Sequence, residues 1–220
     1  MADKNFEIII IGGSYAGLSA AMSLGRAVRN VLIIDSGMPR NRQTPHSHNF
    51  LTQDGKTPKQ ITALAIDQVS QYKTIEFYSG LAIRGAKTEK EFEIETQVGD
   101  LLYSKKLILA TGVKDEFPGI KGFAECWGIS VIHCPYCHGY EVKNEKTGIF
   151  GNGDPGFELC RLISNWTKDL TLFTNGRSTL TMEQAGKLKK HNILIVEKGI
   201  DGFENANGQI KNIVFNDNSK

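Results

Sequence analysis

The 220-residue sequence contains no apolar run near the ~18 residues that a helical membrane span needs, and no membrane partner is expected. It has no appreciable charge excess. Its 26 Lys and Arg face 24 Asp and Glu, a net +2, which leaves no electrostatic footprint for nucleic acid or an acidic membrane surface. Nor is there a leader pattern: Asp3 and Glu7 flank the first short apolar run, so a cytoplasmic location is expected. Cysteine is scarce. The four are Cys126, Cys134, Cys137 and Cys160, and only one pair is closely spaced, which argues against the dense disulfide framework of a small secreted domain. What the sequence does have is the core content of a folded chain. It is 40% hydrophobic and 23% charged, which excludes global disorder. Glycine is plentiful too, with 23 residues and no collagen periodicity, a density that signals tight turns or close approach of backbone to a ligand.

The apolar run from Phe6 to Ile11 reads as a buried parallel strand that stops at Gly12-Gly13. A small-residue helix from Tyr15 to about Val28 and a strand from Val31 to Asp35 complete a βαβ unit. Ser36 to Lys56 is a long loop holding Pro39, Pro45, His46 and His48, and long ordered loops tend to be functional. Thr57-Pro58-Lys59-Gln60 is a capped helix start, continued by Ile61, Leu64, Ala65, Val69 and Tyr72 at helical spacing. A third strand is expected at Ile75 to Tyr78, an antiparallel excursion from Leu81 to Tyr103, and a buried strand from Lys106 to Ala110, ending at Thr111-Gly112. Val113 to Gly122 reads as the boundary between two domains, residues 1–114 and 115–220. Beyond it the order restarts: strand Thr147 to Phe150, a glycine turn, a helix to about Asn165, and strands at Leu170 to Thr174, Ile193 to Glu197 and Ile210 to Phe215. The expected class is α/β. It has two Rossmann-like dinucleotide-binding domains, each with a central parallel sheet and a small antiparallel excursion.

The first turn is Gly12-Gly13-Ser14-Tyr15-Ala16-Gly17. The fingerprint G-x-G-x-x-G asks for a tight turn, close backbone approach to a pyrophosphate, and close helix–strand packing. Ser14 replaces the middle glycine but is small enough for a phosphate to approach. Asp35 ends the next strand 23 positions after Gly12, where an acid grips a ribose diol. The second turn, Gly151-Asn152-Gly153-Asp154-Pro155-Gly156, matches the fingerprint fully. The same count from Gly151 lands on Thr174, and Arg177 follows; an arginine in place of the acid admits a 2′-phosphate. The first turn therefore leans towards FAD or NAD, and the second towards NADPH.

Between the turns stands His133-Cys134-Pro135-Tyr136-Cys137-His138-Gly139. Two cysteines at i and i+3 close a small disulfide ring, and a helix starting there would lower a thiolate pKa. His138 is placed to move a proton near neutral pH. The alternatives to a redox pair are a metal site and an inert pair. Four ligands within six residues crowd a tetrahedral metal, and no second C-x-x-C exists, so no metal is expected. Cys126 and Cys160 read as buried apolar residues, and His46, His48 and His191 as loop or core residues, with His48 the one worth watching.

In order and spacing, Gly12 to Gly17, Ala110-Thr111-Gly112, Cys134 to Gly139 and Gly151 to Gly156 make the chain resemble the low-molecular-weight thioredoxin reductase family over essentially its whole length. The resemblance implies an FAD domain and an NADPH domain bearing the cysteine pair, which swings between flavin and partner. It implies electron flow from NADPH through FAD to the Cys134–Cys137 disulfide, and on to a thioredoxin-like protein, in a homodimer. Gly12, Gly13, Ser14 and Gly17 would then hold the FAD pyrophosphate and Asp35 its ribose. Gln43 and Asn49 would lie near the flavin, and Ala110, Thr111 and Gly112 would pass beside the cofactor. Gly151, Gly153 and Gly156 would hold the NADPH pyrophosphate. Cys134 would attack the partner and Cys137 would meet the flavin.

Three departures accompany the likeness. His138 stands where the family has an acid. Thr174-Asn175-Gly176 stands where it has basic residues. The family's closing FAD segment has no counterpart after Phe215, so weaker flavin retention is expected. Cys-Pro-Tyr-Cys-His and the Pro45 to Phe50 loop also resemble a branch that oxidises small dithiols through flavin. A nucleotide-binding chain with little turnover is the further alternative.

Overall fold

The computed structural model describes residues 5–220; Asp3, named above against a leader, lies outside them. Contacts divide the chain into two compact units. One comprises the chain up to His46 with Lys56–Asp115, the other Ser47–Gly55 with Glu116–Lys220.

In the first unit, β1 (Asn5–Ile11) runs into α1 (Tyr15–Arg26) and β2 (Val31–Asp35). After the long loop come α2 (Pro58–Val69), β3 (Ile75–Ser79), β4 (Ala82–Lys87), β5 (Phe92–Thr96) and β6 (Leu101–Leu109). The sheet order is β3-β2-β1-β6-β5-β4, parallel from β3 to β6 and antiparallel beyond. The alternation of β1 explains why it sits centrally. Ile8 and Ile10 pack on one face with Leu18 and Ala21 of α1 and Val69 of α2. Ile9 packs on the other with Leu32, Ile34, Ile94 and Leu102, a cluster that Phe6 joins from the start of the strand. Each such side chain withdrawn from water stabilises by about 1.5–3 kcal/mol. The Thr57–Gln60 capping box is formed in both directions, a contribution of about 1 kcal/mol.

Two local expectations shift. The helix after the first turn ends at Arg26, because Val28 adopts a left-handed backbone and its N–H turns back to Gly25 O. The last stretch of the excursion, Leu101 to Tyr103, and the strand from Lys106 are one strand, β6. The exposed Lys105-Lys106 pair does not interrupt it: the parallel ladder runs through, with Lys106 opposite Ile8.

The second unit begins with two single turns, α3 (Phe123–Cys126) and α4 (Pro135–His138). Then β7 (Thr147–Phe150), α5 (Gly153–Ile163), β8 (Leu170–Phe173), α6 (Met182–Lys190) and β9 (Leu194–Val196) repeat the βαβ plan, with parallel order β7-β8-β9. Ile149, Phe157, Cys160, Leu172 and Leu188 form its core. β10 (Ile200–Ala206) and β11 (Gln209–Phe215) make an antiparallel hairpin. The sequence reading found only β11. The missed signal is Asn207-Gly208, both at positive φ, the two-residue turn that favours hairpins.

Candidate functional site

The first turn is built by crowding. Gly12 N–H bonds Ile34 O at 2.8 Å, and Ala110 N–H bonds Ile11 O at 2.8 Å, which brings Ala110 beside the turn. A Cβ on Gly17 would overlap Gly12 O, and one on Gly12, at φ +105°, would overlap Ala110 O. Only glycine fits either place. Asp35 ties the turn down, its carboxylate accepting from Gly13 N–H at 2.5 Å and Gly37 N–H at 2.7 Å. Ser14 is the N-cap of α1 but makes no side-chain cap bond, and no acid lies in the first turn of that helix. Ser14 thus leaves the start of this twelve-residue helix without a cap bond of its own, and such a helix start suits a phosphate. Thr111 and Gly112 follow Ala110 on the surface; Gln43 is exposed in the long loop of this unit. Asn49 belongs with the second unit, where its N–H bonds Asp54 at 2.8 Å.

The second turn repeats the crowding. Gly151 N–H bonds Phe173 O at 3.1 Å, and a Cβ on Gly156 would stand 2.8 Å from Gly151 C. Its helix start is finished differently. Asn152 caps α5, its Oδ1 accepting from Gly153 N–H and Thr179 N–H, both at 2.8 Å, while its Nδ2 donates to Arg177 O at 3.0 Å. Thr174 is buried, with its hydroxyl donating to Gly176 O at 2.7 Å. The Arg177 side chain is exposed. Sequence reasoning did not single out Asn152, although Asn before a helix is itself a cap signal.

In the second unit Cys134 and Cys137 are joined as a disulfide, with Cα atoms 5.3 Å apart. Cys134 caps α4, and Cys137 N–H and His138 N–H both bond Cys134 O at 3.2 Å. The helix start anticipated here is a single turn. Tyr136 packs edge-on to Trp166 at 5.5 Å, and Trp166 also closes over Gly139. Burial pushes the His138 pKa below 6.5; Glu141 opposes the shift, and His48 and His133 add to it. His138 is thus held neutral and able to accept a proton. His48 lies 3.5 Å from both Asp54 and Glu141, with its ring 6.5 Å from that of His138. Cys126 and Cys160 are buried and outside any disulfide, and burial raises the Cys160 thiol to about 11. Among the described residues no three His, Cys, Asp or Glu stand close enough to hold a metal. A cavity of about 430 Å³ lies beside Cys160, Leu188 and Ile193, and shares no residue with either turn or with the cysteine pair.

Two βαβ units with crowded glycine turns, and on the second a half-buried disulfide between cysteines three positions apart, define an α/β chain of disulfide-oxidoreductase type. The pyridine nucleotide-disulphide oxidoreductase family model matches residues 6–219, and the chain belongs to that family. The thioredoxin reductase aclD of Aspergillus oryzae is 36% identical over 91% of this chain and 66% of its own length. The thioredoxin reductase of Helicobacter pylori is 32% identical over 76% of this chain and 54% of its own. Among solved structures, TrxB from Bacillus anthracis superposes with a TM-score of 0.93 at 31% identity, covering 97% of this chain and 72% of that one. An oxidoreductase from Agrobacterium tumefaciens gives 0.89 at 39%, covering 98% and 71%. The chain spans 54% to 66% of the length of these two curated relatives. No helix among the described residues is long and apolar enough to cross a membrane.

Proposed function

We propose that the protein is a flavin-dependent disulfide oxidoreductase of thioredoxin reductase type. Residues 1–114 form its FAD domain, and 115–220 its nicotinamide domain. The crowded turn at Gly12, Gly13, Ser14 and Gly17, ahead of an uncapped helix start, fits a dinucleotide pyrophosphate, and Asp35 fits its ribose. Ala110, Thr111 and Gly112 flank that turn, and Gln43 and Asn49 are assigned to the flavin by family likeness. Gly151, Gly153 and Gly156 are assigned to the nicotinamide cofactor, expected from the sequence to be NADPH through Arg177. Bound FAD would accept two electrons from the nicotinamide and deliver them to sulfur.

The chain's own residues then carry out the exchange. Breaking the Cys134–Cys137 bond takes two electrons and two protons and leaves two thiols. Cys134, as thiolate, attacks the disulfide of a thioredoxin-like partner and forms a mixed disulfide. Cys137 resolves it, which restores the internal disulfide and releases the partner as a dithiol. His138, neutral and half-buried, holds and returns the proton. A pair cycled by a nicotinamide belongs in a reducing compartment, which supports the cytoplasm. A homodimer follows from the family likeness alone.

The observation that carries this reading is the Cys134–Cys137 disulfide with His138 beside it. Turnover with thioredoxin and non-reducing gels test it. Cys137→Ser should trap a covalent complex through Cys134, Cys134→Ser should abolish transfer, and His138→Ala should slow it by about 10² to 10⁴. Full activity in either cysteine variant would return the pair to a structural role. A second reading, oxidation of a small dithiol, is favoured by one observation. The loop carrying His48 brings that histidine to within 6.5 Å of His138, between rings, so the two motifs of that branch meet in this unit. Oxygen consumption with a small dithiol and no nicotinamide separates the two.

A further inference from the structure

At the end of β8, beside the second turn, several polar groups of the following loop are already bonded within the protein. Thr174 Oγ1 donates to Gly176 O. Asn175 Oδ1 accepts from Ile200 N–H at 2.8 Å, and Gly176 has no side chain. Ser178 N–H is bonded by the Glu197 carboxylate at 2.6 Å. Glu197 follows β9, the strand next to β8, and is exposed. A 2′-phosphate on the adenosine ribose needs cations and unpaired N–H donors at the end of this strand. Here the loop offers one cation, Arg177, and beside it a carboxylate that already holds a backbone donor.

We propose that Glu197 makes the second turn select a nicotinamide dinucleotide without a 2′-phosphate, so that NADH rather than NADPH is the preferred donor. The proposal rests on the nucleotide reading of that turn. It replaces the donor suggested by Arg177 alone, because a fixed carboxylate repels the phosphate that Arg177 would attract, while a free 2′-hydroxyl carries no charge to repel. Sequence reasoning had no signal for this: Glu197 is 19 positions from Ser178, and only the parallel pairing of β8 with β9 brings them together.

The test is titration of the full chain with NADH and with NADPH, followed by nucleotide fluorescence, for the wild type, Glu197→Gln and Arg177→Ala. The wild type should bind NADH at least about tenfold tighter. Glu197→Gln should bring the two dissociation constants to within about threefold, chiefly by tightening NADPH. Tighter NADPH binding by the wild type, or an unchanged ratio in Glu197→Gln with NADPH weakened only in Arg177→Ala, overturns the proposal and leaves the turn a nucleotide site. Binding of neither nucleotide overturns the nucleotide reading itself.

Discussion

At the end of β1, Gly12 N–H bonds Ile34 O near the end of the next strand at 2.8 Å; at the end of β7, Gly151 N–H bonds Phe173 O, the last residue of the next strand, at 3.1 Å. In both turns the last glycine is pressed against the first, Gly17 on Gly12 and Gly156 on Gly151. The two regions diverge one residue later. Around the first turn an acid grips the backbone, Asp35 on Gly13 and Gly37, and the N-cap Ser14 makes no side-chain cap bond. Around the second an amide does the gripping, Asn152 on Gly153, Thr179 and Arg177, and the acid position is a buried threonine. The shared part is steric, and on the proposed reading it is where a pyrophosphate would fit. The differing part is polar, and on that reading it would decide which dinucleotide binds.

The largest effects should come from adding one carbon to each shared glycine. Gly17→Ala must displace Gly12 O or the helix, so flavin retained through gel filtration should fall by at least about tenfold. Gly156→Ala meets Gly151 C at 2.8 Å and Leu172 Cδ1 at 3.3 Å; it should weaken nicotinamide binding by about tenfold and leave flavin content alone. Equal loss of both ligands in either variant would show that the turns do not act separately.

Smaller effects should follow at the position where the turns differ. Asp35→Asn removes the charge from two hydrogen bonds and should cost about 1.5–3 kcal/mol in urea unfolding. Thr174→Val removes a neutral bond to Gly176 and should cost about 0.5–1.5 kcal/mol. A larger loss at Thr174 than at Asp35 would reverse the assignment of the stronger anchor.

The smallest effect concerns pH. His138 is depressed below 6.5 by burial, so the unfolded chain takes up its proton first as pH falls. Its contribution is present above pH 6.5 and is lost as pH drops through the depressed folded value. His138→Gln should therefore flatten the acid side of the stability–pH curve, read by unfolding at a series of pH values. An unchanged curve would mean that His138 is not held neutral.

Both turns, their strands and the cysteine pair were legible because each is written in adjacent residues: an apolar run, a glycine, a small-residue helix. Periodicity placed β1, β2, α2 and β7 to β9 for the same reason. What could not be read is assembled across the sequence. β6 hid behind Lys105-Lys106 because its continuity depends on pairing with β1. The placement of His48 between Asp54 and Glu141 joins a loop to a segment more than 80 residues on. Glu197 matters only where β9 lies beside β8.

The most direct test of the account counts thiols on Cys134 and Cys137 after anaerobic addition of NADH to the full chain with FAD present. The wild type should gain two thiols, Gly17→Ala and Gly156→Ala should gain them about tenfold more slowly at subsaturating FAD and NADH respectively, and chemical reduction should expose both thiols in all three. Two new thiols in the wild type without FAD, or in Gly156→Ala at the wild-type rate, would contradict a path that runs from the second turn through the first to the disulfide.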